Sequence, residues 1–418
     1  MDDTLSQLQV GKLQGSTSLK LSCGLTTFPA AIYNLADTLE ILDLTGNALS
    51  SLPDDLDCFK KLRILFCSSN QFTEMPAVLG KCESLSMIGF KANQITYIPE
   101  SAIPTKNLRW FIVTDNALEQ LPDSLGQCKK LQKLMLAGNK LSALPSTMAN
   151  CHALELLRIS ANQFTTLPNW LFDLTKLTWL AYAGNPFSNT IEAAQAKQQH
   201  PIEIDWAQLT LGKVLGEGAS GVTYQAGWQH NGALESETGE SDTTEPVAVK
   251  LFKSGLTSDG LPSCEMHANI MAGEHPNLVG VKGIIIKHPD NVQGLVMPLL
   301  SPDLKILAQP PSFETCTRDV YPAETSLSKI QANHIAQGVE KAMQHLHANG
   351  LMHGDLYAHN ILWNDEQVVL SDLGGASFLP IQDKAMATAL VQLDKCAYQV
   401  LVEELANLAG LTIRGKEK

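Results

Sequence analysis

His353-Gly354-Asp355-Leu356-Tyr357-Ala358-His359-Asn360, followed ten residues later by Leu370-Ser371-Asp372-Leu373-Gly374, is the stretch that decides how the second half of this chain folds. Ile361-Leu362-Trp363 and Val368-Val369-Leu370 read as two short strands, with Asn364-Asp365-Glu366-Gln367 supplying the turn between them. That hairpin would bring Asp372 back beside the loop carrying Asp355 and Asn360. Asp and Asn also recur together in ordinary turns, so the weight of the pattern depends on what lies upstream.

Upstream, Leu215-Gly216-Glu217-Gly218-Ala219-Ser220-Gly221 sits between two strand-like segments, Leu209 to Val214 and Val222 to Ala226. A dinucleotide fingerprint would open a helix after its glycines, whereas a glycine hairpin lies over phosphates, and no helical pattern follows Gly221. Val247-Ala248-Val249-Lys250 is an alternating strand ending in a lysine, and Glu265 follows in a helical stretch. A lysine that meets phosphates needs a fixed carboxylate to orient it, and Glu265 is the candidate. The chemistry this set suits is phosphoryl transfer, in which metal ions bridging phosphate oxygens need hard oxygen ligands and an acceptor hydroxyl needs a proton acceptor.

In this order and spacing, residues from about 207 to 410 resemble a protein kinase domain. The likeness also takes in His275-Pro276-Asn277, the strand Gly294-Leu295-Val296-Met297, the helix from Ile335 to His347, and Asp394, which resembles the buried aspartate anchoring a kinase catalytic loop. The resemblance implies ATP and Mg²⁺. Gly216, Gly218 and Gly221 would let backbone amides approach the nucleotide, and Lys250 with Glu265 would position its phosphates. Met297 and Leu299 would border the adenine. Asp355 would orient the acceptor hydroxyl, and Asn360 and Asp372 would hold the metal.

Several positions depart from that family's pattern. Gly354 stands where an arginine usually precedes the catalytic aspartate, so the basic pocket for a phosphorylated activation loop is missing. Leu373 replaces a phenylalanine, and Thr223 takes the usual valine place over the adenine. Tyr357 replaces the lysine that steadies the γ-phosphate, a loss that should slow transfer unless another cation substitutes. The segment from Asp372 to Asp394 is short and lacks Ala-Pro-Glu, so the C-lobe is expected to be abbreviated around its peptide-docking region.

The first half is periodic. Asn47, Asn70, Asn93, Asn116, Asn139, Asn162 and Asn185 recur every 23 residues, and Leu39, Leu62, Leu85, Leu108, Leu131, Leu154 and Leu177 each stand eight before. This resembles the leucine-rich repeat, here in eight turns, the first with Gly24 in the asparagine slot. Each turn should contribute one parallel strand to a concave sheet, with the leucines as core and the asparagines satisfying buried backbone. One variable column of that sheet holds Ile41, Ile64, Met87, Trp110, Lys133, Leu156 and Trp179, the next Asp43, Phe66, Gly89, Ile112, Met135, Arg158 and Ala181. Phe66, Trp110, Ile112, Met135 and Trp179 would form an apolar patch that either receives a protein partner or is covered by another segment of the chain, the kinase-like domain being the obvious candidate.

The formal net charge of -13 argues against nucleic-acid or anionic-membrane partners. No apolar run has signal-peptide or membrane-spanning length, so a cytoplasmic protein is expected, its nine scattered cysteines reduced. The acidic segment from His230 to Glu245, with Ser236, Thr238, Ser241, Thr243 and Thr244, reads as a disordered hairpin insertion open to autophosphorylation.

The expected architecture is thus an α/β leucine-rich-repeat solenoid plus an α+β bilobal kinase-like domain. Residues 1–18 would form an N-terminal cap, 19–190 the repeats, 191–206 a cap and linker, and 207–418 the kinase domain. The expected function is serine/threonine protein kinase, with the repeats selecting a partner. The alternatives are an interaction scaffold carrying a nucleotide-binding pseudokinase, or a kinase with a non-protein acceptor.

Overall fold

The computed structural model describes residues 3–196, 200–218, 220–229, 244–253, 255–257 and 259–411. The chain divides into two compact units, Met1–Leu180 with Asn185–Phe187, and Ala181–Gly184 with Ser188–Lys418. In the first unit, helix α1 (Asp3–Gln9) precedes eight strands: β1 (Ser18–Lys20), β2 (Ile41–Asp43), β3 (Ile64–Phe66), β4 (Met87–Gly89), β5 (Trp110–Ile112), β6 (Lys133–Met135), β7 (Leu156–Arg158) and β8 (Trp179–Ala181). They form one sheet in chain order. Ile41, Ile64, Met87, Trp110, Lys133 and Leu156 pair in parallel register, each one period after the last. The return legs are short 3-10 helices, and Pro76, Pro99, Pro122, Pro145 and Pro168 introduce theirs, where a preset φ begins the turn.

All seven repeat leucines, from Leu39 to Leu177, are at most 1% exposed, so each turn closes only by stacking on the next. The asparagines act as brackets between turns. Asn139 Oδ1 accepts from the Leu118 N–H at 3.0 Å, while its Nδ2 donates to the Val113 and Leu136 carbonyls, each at 2.9 Å. Asn162 repeats the arrangement with Leu141, Leu136 and Ile159. Removing such a side chain strands buried backbone groups that water cannot reach. Asn139→Ala should therefore lower stability by about 2–4 kcal/mol, read as a shift of the urea midpoint. Asn107→Ala, which removes exposed side-chain bonds to the Glu83 carbonyl and from the Lys130 ammonium, should cost less than about 1 kcal/mol.

The sheet face, expected either to stand open or to be covered, is buried in part. Trp179 is 1% exposed and Met135 8%, so neither offers surface to a partner in this conformation, whereas Phe66, Trp110 and Ile112 stay partly exposed. Neighbouring strands cover one another here. A Cβ on Gly89 would lie 2.6 Å from the Phe66 ring and 3.7 Å from Ile112, which shows the two side chains lying across the glycine. Lys133 Nζ sits 4.3 Å from the centroid of the Trp110 ring, within cation–π range.

All nine cysteines are free thiols. Burial pushes Cys151 up to about 11 and Cys128 up to about 12, so both stay protonated at neutral pH.

Helix α2 (Pro186–Ala196) follows the last repeat, and β9 (Glu203–Asp205) joins a six-stranded sheet of order β10-β11-β12-β14-β13-β9. Its other strands are β10 (Leu209–Glu217), β11 (Gly221–Gln229), β12 (Thr244–Phe252), β13 (Gly283–Ile286) and β14 (Gly294–Pro298). The connection between β11 and β12, with Ser236, Thr238, Ser241 and Thr243, lies outside the described residues. Helix α3 (Pro262–Ala272) follows β12 and starts with proline at its first position, where the missing N–H costs nothing.

The remaining elements are β15 (Lys305–Ile306), helix α4 (Lys329–Ala348), β16 (Leu351–Met352), β17 (Ile361–Trp363), β18 (Val368–Leu370), β19 (Ser377–Phe378) and helix α5 (Lys384–Leu408). β17 and β18 are the hairpin expected from the sequence, with Asn364 Oδ1 accepting from the Glu366 and Gln367 amides. Helix α4 opens with a reciprocal cap between Ser328 and Gln331 and buries Ile335, Val339, Ala342 and Leu346 along one face. Helix α5 buries Leu390, Leu393, Ala397, Leu401 and Leu405, and on the same face it buries a carboxylate, Asp394. A charge there needs partners, and its partners define the site. No described helix is long and apolar enough to cross a membrane.

Candidate active site

The glycine run forms the tip of an antiparallel hairpin between β10 and β11, closed by the Gly218 N–H on the Gly221 carbonyl at 2.9 Å. The three glycines serve different ends. A Cβ on Gly221 would lie 2.5 Å from the Leu251 carbonyl oxygen, so packing against β12 demands glycine there. Among the described residues nothing stands within 4 Å of a Cβ on Gly216 or Gly218, so the space beside the hairpin tip is unfilled there. Lys253 holds the tip, its Nζ 2.7 Å from Glu217 Oε1 and 3.1 Å from the Gly218 carbonyl.

Lys250 lies in β12 opposite Thr223 on one side and Leu295 on the other, and it forms an ion pair with Glu265 of α3. Burial raises the Glu265 pKa, the positive charge of Lys250 pulls it down, and Asp372 pushes it up again; the net direction is upward. Around this pair is a cavity of about 300 Å³ lined by Gly216, Gly218, Gly221, Lys250, Glu265 and Asp372, together with Thr223, Thr257 and Asp259. Met297 and Leu299 lie outside that lining, in an apolar cluster with Ala248.

Asp355 and Asn360 belong to a loop tied to Asp372 by short links. Asn360 Nδ2 donates to the Asp355 carbonyl at 3.1 Å, and both the N–H and hydroxyl of Ser371 donate to the Asn360 carbonyl at 2.8 Å. His353, fully buried, bridges the same two segments: its Nδ1 accepts from the Asp355 N–H at 3.2 Å and its Nε2 meets the Ser371 carbonyl at 3.3 Å. A carbonyl can only accept, so the proton is on Nε2 and one neutral tautomer satisfies both bonds. A Cβ on Gly375 would lie 2.7 Å from the Asp355 Cβ, so glycine at that position lets the two segments meet. Asp372 itself has φ +59°, and the Gly374 N–H caps its Oδ1 at 3.0 Å.

Asp394 anchors the loop from below. Its Oδ2 accepts from the His353 N–H at 2.7 Å and from His347 Nε2 at 3.0 Å, and its Oδ1 from the Gly354 N–H at 2.9 Å. Gly354 takes φ +68°, which gives a physical reason for glycine in the place where arginine is usual. Gly354→Ala should cost about 1–2 kcal/mol of stability by urea unfolding, the strain of an L side chain in that region.

Sequence reasoning missed Asp319, Asp259 and Tyr182. Asp319 Oδ1 accepts from His359 Nδ1 at 2.7 Å and its Oδ2 from the His359 N–H at 3.0 Å. Burial opposes charge on His359, but the hydrogen bond and charge of Asp319, with the carboxylates of Asp355 and Asp372, leave its pKa raised. The ring of Tyr357, itself buried, lies 5.1 Å from that of His359. Tyr182, at the start of the second unit, donates its N–H to Ser377 Oγ at 3.1 Å and its hydroxyl to the Phe378 carbonyl at 2.9 Å. Neither Asp319 nor Tyr182 had a local signal, because the partners of each lie 40 or more positions away.

Comparison with known proteins places names beside this geometry. Residues 209–396 match the family described as protein tyrosine and serine/threonine kinase, and residues 106–164 and 129–187 match leucine rich repeat. Fibroblast growth factor receptor 1 of Pleurodeles waltl is 25% identical over 46% of this chain and 24% of its own length. Human cyclin-dependent kinase 10 is 26% identical over 43% of this chain and 44% of its own, and human kinase suppressor of Ras 2 is 25% identical over 41% and 15%. The chain spans less than half the length of these curated relatives. Among solved structures, a leucine-rich-repeat protein of Leptospira interrogans matches 46% of this chain and 60% of its own at 24% identity and a TM-score of 0.31.

Proposed function

This chain joins leucine-rich repeats to a protein kinase domain, and from that premise we propose that it transfers the γ-phosphate of ATP to protein hydroxyls, with serine or threonine as acceptor, while the repeats select the protein partner. The observation that carries the proposal is the gathering of the Lys250–Glu265 pair, Gly216, Gly218 and Asp372 around one cavity.

The residues present fit a magnesium nucleotide. The space beside Gly216 and Gly218, where no described atom stands within 4 Å of a Cβ, leaves room for phosphates, and Lys250, held by Glu265, offers them a fixed positive charge. Asn360 Nδ2 is committed to the Asp355 carbonyl, which leaves Oδ1 as the atom for a cation, and Asp372 would supply a carboxylate oxygen. Mg²⁺ is ordinarily held through one or two carboxylates and the substrate's own phosphates, whose charge it neutralises. Asp355 would accept the hydroxyl proton, and Met297 and Leu299 would border the adenine.

A scaffold that binds nucleotide without transferring phosphate is favoured by one observation, the buried Tyr357 in the lysine position. Incubation with Mg-ATP and generic protein substrates, followed by mass spectrometric mapping, separates the two. Phosphoserine or phosphothreonine supports the proposal. Phosphotyrosine alone moves the acceptor, and bound nucleotide with no phosphoprotein supports the scaffold. A cytoplasmic location and a protein partner on Phe66, Trp110 and Ile112 belong to the same proposal.

A further inference from the structure

Asp319 sits in a strap of residues 307–321. The strap is pinched at its base, where Gln309 and Val320 exchange main-chain hydrogen bonds at 2.8 and 2.9 Å. The Leu307 N–H donates to the Ile361 carbonyl at 3.0 Å, one residue beyond Asn360, and the Tyr321 hydroxyl donates to Glu404 of α5 at 2.8 Å. The strap is thus tied to β17 at one end and to α5 at the other. The Asp319 side chain is 1% exposed, and both its oxygens are given to one residue, His359. A carboxylate taken out of water at such a cost is retained where it holds something in place.

What it holds is the short run between Asp355 and Asn360. A grip on both the main chain and the ring of His359 fixes the position of this residue and its side-chain torsion together. Asn360 is the next residue, and it is linked on one side to Asp355 and on the other to Ser371, the neighbour of Asp372. We propose that Asp319 is a positioning residue for phosphate transfer, setting through His359 the separation and orientation of Asp355 and Asn360. The inference rests on the phosphotransfer reading above.

The test is steady-state kinetics with Mg-ATP and a protein acceptor on Asp319→Ala, Asp319→Asn, His359→Ala and the double variant, with amide hydrogen exchange on the same full-length proteins. A displaced catalytic group should lower kcat by about 10- to 100-fold while KM for ATP stays within about twofold, because other elements build the phosphate cavity. Asp319→Asn, which keeps one acceptor, should fall between wild type and Asp319→Ala. The double variant should be no worse than the poorer single one, since both break the same link. The His359 amide should exchange faster in Asp319→Ala while the amides of Val247 to Phe252 are unchanged.

A kcat within about twofold of wild type, or faster exchange spread through the whole unit, overturns the positioning role. Wild type that binds Mg-ATP and transfers nothing overturns the kinase reading instead, and the exchange result then decides alone whether Asp319 orders the loop.

Discussion

Asp355→Ala should lower the rate of phosphate transfer by about 10³- to 10⁴-fold while leaving Mg-ATP binding nearly intact. A positioned proton acceptor is worth about 10²–10⁴ in rate, and the upper end applies where the residue also aligns the acceptor hydroxyl. The cavity around Lys250 and Glu265 does not include Asp355 in its lining, which is why binding and transfer should separate. Nucleotide titration and single-turnover transfer on the same preparation give both numbers. Loss of binding in parallel with transfer would show instead that Asp355 supports the fold of the site.

Asp394→Ala should destabilise the second unit by about 3–5 kcal/mol, a cost typical of removing one partner from a buried charged network. Three donors converge on this carboxylate, the amides of His353 and Gly354 and the imidazole of His347, and its removal leaves them buried without an acceptor. Asp394→Asn is the sharper variant, because it keeps the volume. Its amide nitrogen must face at least one of those donors, so the destabilisation should approach that of alanine. A near-neutral asparagine in urea or thermal unfolding would mean that packing, not hydrogen bonding, fixes the loop.

The local features were legible because they are written in short-range chemistry. The repeat asparagines announced their bracketing role through a fixed spacing, and the bonds of Asn139 and Asn162 are the ones that spacing implies. The hairpin of β17 and β18 likewise follows from its turn residues, whereas the anchoring of the loop by Asp394 was expected from the resemblance to protein kinases. Gly354 read as the loss of an arginine, whereas its positive φ shows that the backbone there suits glycine. Asp319 was invisible because a carboxylate in a loop has no periodicity, and its partner lies in another segment. The sheet face stayed undecided for a related reason. Alternation shows which side chains leave the core, not which neighbour then lies across them, as Phe66 lies across Gly89.

The measurement that tests the account most directly is the fate of the γ-phosphate when the full chain, alone and with generic protein acceptors, is incubated with Mg-ATP beside Asp355→Ala and Asp372→Ala. The expected result is phosphate bound covalently to serine or threonine with wild type, and none above background with either variant. Nucleotide binding by wild type with no phosphoprotein formed, or equal phosphorylation by wild type and both variants, would contradict it.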